Sequence, residues 1–503
     1  MSSSTHLSVR SLILCVTFGL ASGCVFTVAG IDVDHQDLAD TDGGFDASSD
    51  DLPDLAGDDL AGIDLSGADL AGMDLAGADL AMPDLSTPDL SMPDFSAPDL
   101  LVPLDFSTLP DLTPPPDLTA PLVFPSHVPA HYLDDSKIDW KITSDTTIDT
   151  GALTISPAAP SGVVFVADGS FAVLALNKLT LGNDASSSTK VRVIGSRPLV
   201  IVAGDSIIIN GVLDGGGQGG QAGPAGGAAG IGSGAGGAGA PGTANATGGA
   251  GGGYGTSGGA GGARPTTGGG SNAGPVGGVT YGSPILTTLV GGSGGGNGVS
   301  TSGNTIFCGD SSPGGGAGGG AIQLSARVSV SVATYHSSFF GAIGGIVSVS
   351  GGAGAGGCGA STRTASGAGG GSGGAVLVEA PSVVISGVLG ASGGGGGSGG
   401  HQNFGTVNGS DGRDGLVYGT QINQSSLGGG TQFGLSQVGG KGANAVVNTG
   451  DATAAGAGDN ETSSGGGGGG GYGRLYVRSH GAATVAQASP APVTDTSLPA
   501  TIP

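Results

Sequence analysis

The sequence predicts an all-β chain: a parallel β-helix or solenoid-like body with glycine-rich loops, preceded by a disordered acidic stalk. Short alternating apolar runs recur after residue 137, glycine blocks separate them, and almost all the acidity lies ahead of them. Of 503 residues, 111 are Gly and 27 are Pro, a content that by itself reads as low complexity. Yet 37% of the chain is hydrophobic and only 11% is charged, the reverse of a disordered composition, so part of it must pack. From Cys24 to Asp139 there are 25 Asp and a single base, Lys137; from Trp140 onward 14 acids face 12 bases. A nearly neutral body without a basic cluster, behind a segment that repels phosphate, argues against nucleic acid as a partner.

The first element is the leader. "MSSSTHLSVRSLILCVTFGLASGC" has a polar start with Arg10, an apolar run from Leu12 to Leu20 too short to span a bilayer, and small residues before a cysteine. Ala21-Ser22-Gly23-Cys24 resembles a bacterial lipobox. The resemblance implies a signal peptide over 1–23, acylation of Cys24, and an outer-membrane address, since Val25 rather than Asp follows the cysteine. The alternative is a plain secretory signal with an incidental cysteine. Once Cys15 is removed and Cys24 acylated, Cys308 and Cys358 remain. Paired, they would close a loop of about fifty residues, contributing roughly 4 kcal/mol in the chain-entropy model; two unpaired thiols are the other reading.

Residues 24–136 read as the linker. From Leu55 to Leu100 an apolar residue recurs every fifth position, each after an Asp. The spacing resembles the pentapeptide-repeat family, whose Asp/Asn-Leu units build a square β-helix. Asp58, Ile63 and Met73 stand where that family wants a small residue, and Pro53, Pro83, Pro88, Pro93 and Pro98 remove backbone donors. A disordered or polyproline-like stalk fits better, reaching from roughly 60 Å as a coil to about 340 Å extended.

Strand signals open at residue 137, and 137–214 reads as an N-terminal β region. Across 215–480 the pattern repeats. "IIINGVLDGGG" lies on "VVISGVLGASGGG", setting Val200, Val202, Ile207, Ile209, Gly211 and Leu213 against Leu377, Glu379, Val383, Ile385, Gly387 and Leu389. "GGGAIQLSARVSVSV" with "GGIVSVSGGAGAGG" is a shorter echo, and "GGGYGRLYVRS" closes the series. Strand units that bury a face only by stacking on neighbours mark a solenoid. Residues 215–303 read as loops between coils, and 314–400 as more ordered, with paired left-handed glycine helices as a competing reading. Residues 481–503 read as a disordered tail.

These strand halves resemble haemagglutinin-type β-helices, and the GGAGG tracts are similar to PGRS-type repeats, over about 138–479. The resemblance implies a bacterial glycine-rich surface protein; no helical N-terminal domain of the kind that accompanies PGRS repeats precedes the body.

Sites are sparse. Ser257, Ser293, Ser372 and Ser398 each centre a G-x-S-x-G window, but no helix pattern follows, as a nucleophile elbow needs. Lys441 in "GGKG" lacks the spacing of a phosphate-binding loop. Asp411 and Asp414 flank Arg413, a pattern more typical of a salt-bridged turn than of paired catalytic carboxylates, and His336 and His401 have no ligand partner at i+4. No catalytic residue, cofactor or metal site is predicted. The expected function is a non-enzymatic cell-envelope lipoprotein, held at the membrane by its lipid and meeting a glycan or cell-surface partner. A carbohydrate-active β-helix enzyme and a glycan-binding module are the alternatives, the latter with Tyr254, Tyr335, Phe339, Phe340 and Phe404 as contacts or core fillers.

Overall fold

A computed structural model of the chain describes residues 124–502 except 185–186, 267–269, 302–311, 335, 339–340, 360–363, 404 and 416–462. The leader, Cys24, the Asp-Leu repeat, Cys308, Tyr335, Phe339, Phe340, Phe404 and Lys441 lie outside the described residues. Those described form no α-helix, only a 3₁₀ turn at Ala130–Leu133.

Strand after strand joins the same two sheets. The fold opens with β1 (Asp139–Ile142), β2 (Thr146–Asp149), β3 (Thr154–Ser156) and β4 (Val164–Asp168). One full tier follows as β5 (Phe171–Leu176), β6 (Lys178–Leu181) and β7 (Lys190–Ile194), and a second as β8 (Leu199–Ala203), β9 (Ser206–Ile209) and β10 (Val212–Asp214). After a hairpin, β11 (Arg264–Thr266) with β12 (Gly270–Asn272), come β13 (Ala321–Ala326) and β14 (Ser329–Val332). A second hairpin, β15 (His336–Ser338) with β16 (Gly341–Ile343), precedes β17 (Ile346–Ser348), which completes the third tier. The fourth is β18 (Ala375–Glu379) with the long β19 (Ser382–Gly390). A third hairpin, β20 (His401–Asn403) with β21 (Gly405–Val407), leads to β22 (Arg474–Arg478), β23 (Thr484–Ser489) and β24 (Val493–Asp495).

One sheet runs β4-β5-β8-β13-β18-β22-β24, and the other β1-β6-β9-β14-β19-β17-β10-β7-β2-β3 with β23 on β19. All pairings within them are parallel except the end strands β3 and β4. The architecture is therefore all-β and mostly parallel.

Parallel stacking puts like beside like. Leu174, Ile201, Leu324, Val378 and Val477 form one column, and Leu199, Ile322, Val376 and Leu475 another, all buried between the sheets. The facing sheet supplies Leu179, Ile207, Val330 and Val383, then Leu181, Ile209, Val332 and Ile385. Each such side chain contributes roughly 1.5–3 kcal/mol over an exposed one. The residues aligned in sequence occupy the same columns, with the 321–348 tier between them: Val200 and Leu377 flank Gln323, and Val202 and Glu379 flank Ser325. The aligned glycines sit at a corner, where a Cβ on Gly211 would lie 2.3 Å from the Thr189 carbonyl and one on Gly387 2.1 Å from that of Gly345.

Three sequence expectations change. Residues 124–136, assigned to the linker, begin a strap that packs on the outer face of the first sheet, burying Phe124, Val128, Tyr132 and Leu133 against Val173, Val200 and Leu377. Their apolar spacing was masked by the Pro-rich sequence just before them. The tail from 481 onward contains β23 and β24 and buries Leu498, because it finishes the open edges of both sheets. The described parts of 215–303 are not loops between coils but hydrogen-bonded layers, described next.

Candidate functional site

Three tiers are interrupted at one corner. There the chain leaves after β10, β17 and β19 and returns to β13, β18 and β22, running outward and back as glycine tracts. Tract 248–253 shows how they hold together. Its successive amides donate to Gly262, Gly367, Gly237, Gly259, Gly370 and Gly234, three neighbouring tracts taken in rotation. Its carbonyls accept from Gly278, from Gly468 and Gly471, and from Gly296, three further tracts. Tract 367–374 does the same, donating to 465–471, 349–355 and 293–296 in turn. A three-residue rotation is that of an extended left-handed helix, which has no internal hydrogen bonds and must place every amide outside itself. At the glycine positions six neighbours leave no room for a side chain: a Cβ on Gly369 would lie 1.9 Å from the Ala250 carbonyl oxygen.

The energetics explain why strands flank these tracts. Fixing a backbone residue costs about 1–2 kcal/mol, and a backbone hydrogen bond returns a net 0.5–1.5 kcal/mol or so. Glycine layers alone are close to balance, and the apolar columns at both ends supply the registration.

The exposed edge of the stack is finished by residues 408–415. Gly409, Gly412 and Gly415 donate to Gly357, Gly354 and Gly351, while Asp411 Oδ1 accepts the Gly356 amide at 2.7 Å. Asp414 Oδ1 accepts both the Gly219 and Ala353 amides, at 2.9 and 2.7 Å, and Asn408 Oδ1 that of Gly359 at 3.3 Å. The predicted Asp-Arg-Asp turn is instead a threefold repeat, Asn-Gly-Ser-Asp-Gly-Arg-Asp-Gly, whose carboxylates take the part of carbonyls from a missing neighbour. The period was legible as a gap of three between Asn408, Asp411 and Asp414 but needed the partner tract to interpret it.

Other polar side chains are similarly engaged. Ser293, Ser372 and Ser398 are fully buried within the stack: Ser293 Oγ accepts from Gly234, Ser372 Oγ accepts from Ser293, and Ser398 Oγ accepts from Ser410. They are fasteners, and no helix follows any of them. Asp214, where the first tract departs, accepts from Lys190 Nζ at 2.8 Å, Arg192 Nη1 at 3.0 Å, the Gly216 amide and Gln218.

Among the described residues the one fully buried carboxylate, Glu379, lies on the outer face of the first sheet under the strap. Its Oε2 accepts from the Ser126 amide at 3.1 Å and from Gln323 and Ser325 at 2.9 Å; its Oε1 accepts from Ser126 Oγ and from Arg478 Nη1, the latter at 2.6 Å. A serine, a histidine and a glutamate thus meet, but not in nucleophilic order. His127 contacts Gln323 through Nδ1 at 2.7 Å, and Ser126 bonds the carboxylate directly. The cluster ties the strap to the sheet. Nearby, Tyr476 donates to Asp495 at 3.1 Å; burial, then Asp495, pushes the Tyr476 hydroxyl up to about 12. Burial raises Asp495, but hydrogen bonds from Ser497 and Tyr476 and the charge of Arg478 bring its carboxyl below the usual range.

Tyr254, read from sequence as a glycan contact or a core filler, is wholly buried, its ring 4.6 Å from that of Tyr281 and 5.5 Å from the Arg474 guanidinium. Burial raises both tyrosines, with Tyr254 the more affected. His401 is buried; the side chain of His336 is outside the described residues. Cys358 is disulfide-bonded. Among the described residues no three His, Cys, Asp or Glu gather as metal ligands, and no helix is long and apolar enough to cross a membrane. Compared with protein families, characterised proteins and solved structures, the chain has no match.

Proposed function

We propose that this chain is a non-enzymatic, lipid-anchored protein of the bacterial cell envelope that displays a glycine-rich scaffold for structural or adhesive work. In this reading the tiers are coils of a parallel β-helix, the acidic segment is the tether from an acylated Cys24, and the body stands off from the outer membrane. One observation carries it: the carboxylates and most of the serines singled out as candidates are spent on the body's own construction. Asp411 and Asp414 cap tract amides, Asp214 is paired twice, Glu379 is enclosed under the strap, and Ser293, Ser372 and Ser398 are buried among glycines. Such a body resembles a rigid platform more than a centre for acid–base work, which needs a carboxylate free to exchange protons with a substrate.

Protease treatment of intact cells, followed by detection with antibody against the body, tests the placement. Digestion without lysis is expected, together with loss of membrane fractionation in Cys24→Ser. Full protection of the body on intact cells would remove the surface role, and unchanged fractionation of Cys24→Ser would remove the anchor.

A further inference from the structure

The outer side of the glycine stack carries a depression of about 520 Å³ between the tract around 225–233 and the segment around 281–292. Its floor and walls are largely bare backbone, Gly226, Gly227, Gly291 and Gly292 among them. Five side chains give it chemistry: Tyr281, Ser233, Thr288, Ile231 and Val290.

Tyr281 is held before any ligand arrives. Its hydroxyl donates to the Gly291 carbonyl at 2.7 Å and accepts from Ser293 Oγ at 3.0 Å, Tyr254 backs the ring, and Arg474 clasps its carbonyl at 2.7 Å. A fixed aromatic side chain offers contact area with little entropy left to lose. Beside it stand two exposed apolar side chains, Ile231 at 62% and Val290 at 36% of full exposure, and the exposed hydroxyl residues Ser233 and Thr288. Behind Gly282, 3.7 Å from where its Cβ would be, lies the Tyr254 hydroxyl, fully buried and without a hydrogen-bond partner. No lining side chain is charged at neutral pH.

With no charged side chain to offset the desolvation of an ion, the lining favours a neutral ligand. What remains is a neutral molecule with one apolar face and a rim of hydroxyls. The site is also open, whereas pockets for free small molecules enclose most of the ligand. That favours one unit of a longer polymer, entering and leaving across the depression. We infer that this depression binds a single pyranose unit of a neutral polysaccharide, its C–H face on Tyr281, Ile231 and Val290 and its hydroxyls towards Ser233 and Thr288. The inference rests on the display reading for its setting at the cell surface, and supplies the adhesive contact that reading leaves open.

The test is calorimetric titration of the purified full chain with maltohexaose, cellohexaose and chitohexaose, three neutral oligomers. At least one is expected to bind with Kd at or below about 1 mM. Tyr281→Ala is then expected to weaken it about tenfold or more, and Tyr281→Phe, which keeps the ring, by less than about threefold. Thr288→Trp, an exposed position that fills the depression without touching the core, is expected to abolish binding with the melting temperature unchanged, which guards against a folding defect in Tyr281→Ala. The inference is overturned if none of the three binds at about 10 mM, or if both Tyr281→Ala and Thr288→Trp bind like the parent. Either result leaves the cell-shaving outcome untouched, so failure of the site and failure of surface display are separable.

Discussion

The strand tiers and the glycine stack are built from the same chain at the same corner, yet they solve opposite problems. Between the sheets, water is excluded by side chains: Leu, Ile and Val in columns, with backbone hydrogen bonds confined to the strands on either side within the sheet. In the stack it is excluded almost entirely by backbone, each inner tract bonded to six others with only an occasional Ala or Ser side chain between them. Side-chain cores adapt to altered volume by rotamer changes, whereas a core of carbonyls and amides has no such freedom. The strand region should therefore fail gradually under substitution and the stack abruptly.

The largest effect is expected where the side-chain region is least apolar. Glu379→Ala removes the acceptor for Ser126, Gln323, Ser325 and Arg478 at once, leaving the largely buried guanidinium only its longer pair with Asp495, at 3.6 Å. A loss of about 3–5 kcal/mol is anticipated from chemical denaturation, with the strap at 124–133 becoming the first site of limited proteolysis. Glu379→Gln, which keeps the shape, should lose less. Equal losses for the two would mean that the charge plays no part.

Next comes the direct contrast. Gly369→Ala adds one methyl at a point 1.9 Å from a carbonyl oxygen, with backbone on the other side to resist any shift, so about 3 kcal/mol is anticipated. Ile385→Val removes one methylene from a fully buried position in the sheet core and should cost only about 1 kcal/mol. Thermal melts of the two variants decide it. If the alanine variant melts no lower than the valine one, the stack is not close-packed and the contrast collapses.

Much of the strand region was legible because stacking copies itself into sequence. Ile207, Ile209, Gly211 and Leu213 match Val383, Ile385, Gly387 and Leu389 in register because a parallel column demands the same character at each level. The stack was not legible in the same way, since any glycine fits any glycine and no residue type marks which tract adjoins which. Tyr254 shows the cost of this. With only glycines around it, the sequence offers no sign that the ring closes the seam between tract 248–255 and Tyr281. The strap was hidden for another reason: Ser126 gains its meaning from Glu379 and Arg478, more than 200 residues away.

A smaller effect probes the edge of the stack. Asp414→Ala leaves the Gly219 and Ala353 amides without their shared acceptor, at an exposed position where water substitutes in part. About 1 kcal/mol of local stability should go, read as roughly fivefold faster hydrogen exchange at those two amides. Exchange at Gly369 and Gly371, in the middle, should stay as it was. If the whole stack exchanges faster together, the tracts open as a unit, and the edge carboxylates are part of its cohesion.

The weakest effect separates the regions by pH. The seam between β22 and β24 holds two titrating groups, Asp495 with its carboxyl below the usual range and Tyr476 with its hydroxyl at about 12. For the depressed carboxyl, the favourable contribution is complete above the unfolded value of about 4 and disappears as pH falls through the folded one. For the raised phenol it is complete below about 10 and disappears as pH climbs through the folded value. The seam should thus be tightest between those limits. Hydrogen exchange at Tyr476, Val477 and Arg478, corrected for the intrinsic pH dependence of exchange, should accelerate on both sides, by an amount corresponding to about half a kcal/mol on the acid side. The inner tract 367–374 has no ionisable side chain, so its corrected exchange should remain flat over the same range until the strands that register it begin to open. A parallel rise in both places would mean that the glycine layers feel every charge on the sheet edge, and that the two constructions are one cooperative unit.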